Sequence, residues 1–184
     1  AVEQRSTETG NHVKRVAHIC HALALGYGLS KQQADLIRLA APLHDVGKVG
    51  IPDSVLNKPA RLDAPEWEVM KTHTDKGYGI LKGSAHEIVS AGATIAKEHH
   101  EKWDGSGYPE GLAGNKINIF GRIVALADVY DALRHKRCYK DSWTLERVVE
   151  EINAQKGTHF EPKLVDVFNA NLDELEIIIK RYPD

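Results

Sequence analysis

The sequence predicts an all-α fold, a single domain over residues 1–184 with about six to eight helices. Three observations carry that expectation. Apolar residues recur at helical spacing through most of the chain, no stretch alternates apolar and polar between hairpin turns, and the segment 121–133 is apolar on nearly every side.

The opening ten residues are polar and read as loop or frayed helix. Val13, Val16, Ala17, Cys20, Leu23 and Ala24 then share one helical face, and Gly26 and Gly28 end that helix. A second helix follows Ser30, which forms a candidate capping box with Gln33 and leads into Ala34, Ile37, Leu39, Ala40 and Leu43. Pro42 should bend or end it just as His44 and Asp45 arrive. From Gly47 to Arg61, with Gly50, Pro52 and Pro59, the chain reads as a turn, a short helix at best, and a loop. Asp63, Ala64 and Pro65 open a helix from Pro65 to about Leu81, and another runs from about Ser84 to His100. The stretch 101–118 holds five glycine or proline residues, Gly105, Gly107, Pro109, Gly111 and Gly114. So long a loop is expected to carry function. Gly121 to Leu133 should be a buried central helix with Asp128 and Asp131 inside it, and helices over Leu145–Asn153 and from Pro162 to about Lys180 close the chain.

Composition removes several function classes. Lys and Arg total 24 against 26 Asp and Glu, a formal charge of −2, so no global positive field draws a nucleic-acid polymer or an anionic membrane. Cys20 and Cys138 are too few for a disulfide framework or a Cys-rich zinc site, which suits a reducing cytoplasm. No run approaches the roughly 18 apolar residues of a membrane span. The one methionine is Met70, so Ala1 is not expected to be a natural start and the chain reads as a piece of a longer protein.

Ten histidines are the count that needs explaining. Glu8 and His12 lie four residues apart, about 40° on a helix. His44 and Asp45 are adjacent, His73 lies on the next helix, His99 and His100 end another, and Asp128 sits in the most apolar helix, where a carboxylate needs a cation or strong donors. The set is too large for one four-coordinate zinc. Imidazole mixed with carboxylate suits octahedral first-row metals, with Asp45 a candidate bridge between two ions, and two-metal hydrolysis is the chemistry implied. His18 and His21 lie about 240° and 180° around the helix from His12; with His86, His135 and His159 they are expected in the core or on the surface.

Three strings, His44-Asp45-Val46-Gly47-Lys48, the block from His99 through Trp103 and Asp104 to Pro109, and Asp128-Val129-Tyr130-Asp131-Ala132-Leu133, together resemble the HD-GYP family, a branch of the HD phosphohydrolase superfamily. The likeness runs from about His12 to Pro162. It implies an HD-domain-like helical bundle in which His12, His44, Asp45, His73, His99, His100 and Asp128 hold two divalent ions, iron or manganese before nickel, cobalt or magnesium. Glu8 matches a ligand for a third ion. Lys48 matches the lysine that faces the scissile phosphate, Asp131 is a candidate substrate contact or general acid, and Arg137 and Lys140 match a basic pair that grips substrate phosphates. Gly105, Gly107, Tyr108 and Pro109 match the loop named for the family, linked to substrate access and to partner domains such as cyclic dinucleotide synthases. Asn118, Cys138, Thr74 and Ala60 depart from the family pattern, and none is a ligand position.

The resemblance further implies a bacterial, cytoplasmic signalling enzyme that hydrolyses a 3′–5′ phosphodiester of cyclic di-GMP or 3′,3′-cyclic GMP-AMP, with an N-terminal receiver or sensor region. Two other classes stand beside it. One is a noncatalytic sensor of metal or cyclic dinucleotide, the other an HD-type hydrolase of mononucleotides or guanosine tetraphosphate.

Overall fold

The computed structural model describes residues 10–135 and 143–183. The helices are α1 (Gly10–Tyr27), α2 (Lys31–Ala40), α3 (Asp53–Leu56), α4 (Ala64–Lys71), α5 (His73–Leu81), α6 (Glu87–Glu98), α7 (Ile119–Arg134), α8 (Leu145–Ala154), α9 (Pro162–Ala170) and α10 (Leu172–Arg181). Tight 3-10 turns cover Ala41–Leu43, Val46–Gly50 and Gly114–Lys116. Among the described residues there is no strand, only two isolated bridges, Asp104 with Ala113 and Lys156 with Phe160. The all-α class is as expected. No described helix is long and apolar enough to cross a membrane.

The core forms where α1 packs against α2, α7, α9 and α10, with α6 covering α2 and α7. Ile19, Leu23, Ile37, Ile95, Ile123, Leu126, Tyr130 and Phe168 are all fully enclosed there. Each such side chain contributes roughly 1.5–3 kcal/mol by leaving water. Because α7 is covered from several sides, its apolar character runs all around, as the sequence indicates.

The Ser30–Gln33 capping box forms in both directions, and Asp63 and Glu66 form a second one at the start of α4. Two expected helices divide. The one from Pro65 breaks at Thr72, where the Thr72 hydroxyl donates to Val69 O (2.6 Å) and His73 Nδ1 bonds Met70 O (2.8 Å). Side chains that bond back to carbonyls three residues earlier compete with the helical ladder. The helix from Pro162 breaks at Asn171, whose amide donates to Val167 O (2.7 Å). Asn118 caps α7 by accepting from Phe120 N, while its own N–H donates to Glu98 Oε2 (2.6 Å). A proline there, which the family pattern would have, carries no such donor.

Candidate metal centre

Pro42 ends α2 in a 3-10 turn, and His44 and Asp45 follow at its exit. Gly47 then presses onto the first turn of α5. A Cβ at Gly47 would lie 1.9 Å from His73 O and 2.4 Å from Gly77 N, so no other residue permits this approach. The contact carries Asp45 to His73. His99 and His100 enter from the C-terminal end of α6, His12 from the first turns of α1, and Asp128 from α7.

These seven side chains fall into two groups, each with ligand atoms within 4.8 Å of one another: Asp45, His73, His99 and His100, and His12, His44 and Asp128. Asp45 faces both. Its Oδ1 lies 3.3 Å from His73 Nε2 and 3.7 Å from His99 Nε2, while its Oδ2 lies 3.2 Å from His44 Nε2. Oδ2 also accepts from Lys48 Nζ at 2.7 Å.

The ring nitrogens are oriented by their backbone partners. Nδ1 of His44 bonds Ala41 O (2.8 Å), Nδ1 of His73 bonds Met70 O (2.8 Å), and Nδ1 of His99 lies 3.1 Å from Ile95 O. Each Nδ1 therefore carries a proton, and in the neutral ring Nε2 is the acceptor that turns toward the centre. Buried His73 Nε2, His99 Nε2 and Asp45 Oδ1 make no hydrogen bond. A doubly protonated ring would satisfy the geometry, but burial pushes His73 down to about 4. Burial and the neighbouring His99 and His73 also push His100 well below its ordinary value. Burial opposes the charge on Asp45, yet His44 and Lys48 hold its carboxyl well below the usual range. Imidazole nitrogens converging on a buried carboxylate fit a divalent cation, and the mixed N/O donor set suits a first-row metal.

Two acidic residues of α7 divide the work differently from the expectation. Asp128, expected to be buried, has a side chain 23% exposed and faces His12 Nε2 at 3.7 Å. Asp131 is the sealed one. It was expected to contact substrate, but at 1% exposure it lies behind His12, taking His12 Nδ1 (2.7 Å) on Oδ2 and Arg15 Nε (2.6 Å) on Oδ1. Its oxygens are turned toward His12 and Arg15. Burial opposes its charge, but bonds from His12, His135 and Arg15 hold the carboxyl far below its ordinary value.

The loop after α6 folds back over the site. Gly107 lies against the chain it leaves: a Cβ there would meet Lys102 N at 2.4 Å and Glu101 Cα and His100 O at 2.6 Å. Tyr108 then stacks on His100 (4.8 Å, 21°), joined to Pro109 by a cis peptide, with Trp67 of α4 edge-on to it at 6.1 Å. Gly105 holds φ +84°, a value glycine adopts freely. The fold of this loop rests on Glu101, a buried residue that motif reading passed over. Its two oxygens accept from Glu110 N (2.7 Å) and Leu112 N (2.9 Å).

The other histidines lie away from the centre. His18 stacks on Tyr182, His21 pairs with Asp35, His86 precedes α6, and His159 stacks on Phe160; His135 supports Asp131 from 3.3 Å. Trp103 anchors its loop, donating to His159 O (3.0 Å) and accepting from Gly114 N. Glu8, Arg137, Cys138, Tyr139 and Lys140 lie outside the described residues. Sequence reasoning also missed Arg15, whose only local signal is a charge spaced three residues from His12.

A family model described as an HD domain matches residues 1–164. The chain belongs to the HD domain family. This HD domain is 55% identical, over all 184 residues, to the 3′3′-cGAMP-specific phosphodiesterase 2 of Vibrio cholerae, of which it covers 35%. Over 182 residues, 99% of the chain, it is 44% identical to the cyclic di-GMP phosphodiesterase response regulator RpfG of Xanthomonas campestris, of which it covers 48%. The chain thus spans about a third to a half of the length of these curated relatives. A crystal structure of a cyclic GMP-AMP-specific phosphodiesterase of V. cholerae matches with a TM-score of 0.65 at 22% identity, over 94% of this chain and 49% of that one. The HD domain of the L. monocytogenes phosphodiesterase PgpH, in complex with cyclic-di-AMP, matches with a TM-score of 0.60 at 18% identity over 95% of both. These matches agree with the HD-GYP resemblance of the motifs, and at such identities the solved structures bear on the fold alone.

Proposed function

We propose that this HD domain hydrolyses a 3′–5′ phosphodiester of a cyclic dinucleotide to the linear dinucleotide, in bacterial cytoplasmic signalling. The observation that carries the reading is the Asp45 carboxylate shared between two groups of imidazoles, with Lys48 beside it. His12, His44 and Asp128 would hold one ion, His73, His99 and His100 the other, with Asp45 common to both and Glu8 a candidate ligand for a third. Iron or manganese is the pair that the HD-GYP resemblance implies, and a mixed imidazole and carboxylate set accommodates either. Such ions supply Lewis acidity, acidifying water and offsetting charge on phosphoryl oxygens.

The chain's own residues do the rest. Lys48, only 17% exposed in its side chain, places a positive charge at the edge of the centre, where it opposes the charge that builds on the phosphoryl group. Arg137 and Lys140 are proposed to grip the second phosphate, Arg offering a bidentate fork. Tyr108 and its loop close one side and limit water. The loop is also a candidate contact for cyclic dinucleotide synthases, and a receiver or sensor region is proposed to be fused N-terminally.

The names of the relatives support 3′,3′-cyclic GMP-AMP and cyclic di-GMP as substrates. The test is elemental analysis of protein purified without chelator, coupled to chromatography of products from both dinucleotides, with His44→Ala/Asp45→Ala as control. Metal at two or three ions per chain and linear product lost in the control is the expected result. Bound metal or dinucleotide without turnover would make the domain a sensor.

A further inference from the structure

The imidazoles of the centre are held in two different ways. His44, His73 and His99 each bond a carbonyl three or four residues back in their own segment, so their rings are set by local backbone. His12 is held from across the molecule. Its Nδ1 goes to Asp131 on α7, and Asp131 is gripped by Arg15 through Nε (2.6 Å) and the second terminal nitrogen (3.2 Å). The first terminal nitrogen of Arg15 donates to Tyr182 O at 2.7 Å, just past the end of α10. The segment that provides this carbonyl is itself clasped to α1, since Asn11 Nδ2 donates to Pro183 O (2.6 Å) and the Tyr182 ring stacks on His18 (5.4 Å, 12°).

We infer that Tyr182 and Pro183 act through Arg15 and Asp131 as a positioning element for His12, so that one of the two ligand groups depends on the end of α10 and the other does not. The inference rests on the metal-centre reading above. Arg15 is 1% exposed, and a guanidinium buried that deeply is oriented by its acceptors. Two of those acceptors, Asp131 and Tyr182 O, lie on opposite sides of it. Removing Tyr182 O takes away one of the acceptors that orient the fork, so the bonds from Arg15 to Asp131 shift, and with them the acceptor that His12 Nδ1 uses. Partners of this outer kind typically govern about 10–100-fold of metal affinity.

The experiment is a Mn²⁺ titration, by calorimetry and by the electron paramagnetic resonance of free ion, of the metal-free chain, the same chain ending after Arg181, and Arg15→Lys. Lysine keeps a charge for Asp131 and cannot reach Tyr182 O as well. The unaltered chain is expected to bind two ions tightly, and both variants to keep one and weaken the other at least about tenfold. The same truncation is repeated in His12→Ala and His99→Ala backgrounds. It should add nothing to His12→Ala and should weaken the ion that remains in His99→Ala. Unchanged binding in the variants, or equal weakening of both ions, overturns the coupling. A chain that binds no metal before any change overturns the metal-centre reading, and the coupling falls with it.

Discussion

His73 turns a bare ring nitrogen toward Asp45: its Nε2 stands 3.3 Å from Asp45 Oδ1, while its proton is committed to Met70 O at 2.8 Å on the other side of the ring. Two acceptors held face to face in a buried site repel each other until a cation lies between them. A divalent cation between the two would be held by both.

Divalent metal is therefore expected to raise the melting temperature of the chain. At a free ion concentration about 1,000 times its Kd, each bound ion adds about 4 kcal/mol to stability. Asp45→Asn, which alters the carboxylate common to both groups, should abolish the shift and cut phosphodiesterase activity by more than about 100-fold, since outer partners alone cost about 10–100-fold. Differential scanning fluorimetry with and without Mn²⁺ measures the first effect. An equal shift in wild type and Asp45→Asn would remove Asp45 from the centre.

Lys48 donates to Asp45 Oδ2 at 2.7 Å without being one of the converging lone pairs. Lys48→Met should accordingly retain metal and lose about 100-fold in kcat, the usual scale for removing one donor aimed at developing charge. Metal content and steady-state kinetics on the same preparation separate the two. Loss of metal together with rate would make Lys48 a support of Asp45 alone.

Glu101 is 2% exposed and holds the amides of Glu110 and Leu112. Glu101→Ala leaves two N–H groups without an acceptor, at about 1–3 kcal/mol for each that stays buried. Hydrogen exchange should accelerate at Glu110 and Leu112 first, and activity should fall as Tyr108 leaves His100. Protection unchanged at those amides would show that the loop is held by other contacts.

His159 gives the fold an acid-sensitive point away from the centre. Its Nδ1 pairs with Gln155 Oε1 (2.9 Å), and burial, then the charge of Lys102, pushes it down to about 4. Between that value and the ordinary 6.5 the unfolded chain holds a proton that the folded one refuses. Stability should be complete above this window and fall toward pH 4 by at most about 1.4 kcal/mol per pH unit. Urea unfolding across the window should show a shallower slope for His159→Gln than for wild type.

How much of this was legible beforehand differs from element to element. The Ser30–Gln33 box and the apolar girth of α7 are written locally, because capping and periodicity involve residues three or four apart. So is the placement of His44 and Asp45 after Pro42. The breaks at Thr72 and Asn171 were not legible, since each depends on a side chain choosing a carbonyl over solvent. Asp128 and Asp131 look alike in sequence, one turn apart on one helix. Their different fates depend on Arg15 of α1, which no pattern within α7 can signal.

By itself the sequence determined the all-α class, the helix-ending signals, and the motif residues that resemble those of the HD-GYP family. The tertiary structure alone decided which ring nitrogens turn toward Asp45, that Asp45 faces both groups, that Asp131 bonds His12, and that the end of α10 reaches Arg15. The physical reason is range. Periodicity and caps act within a turn or two of backbone and leave a local trace, whereas a hydrogen-bonding partner more than a hundred residues away leaves none until the chain has packed.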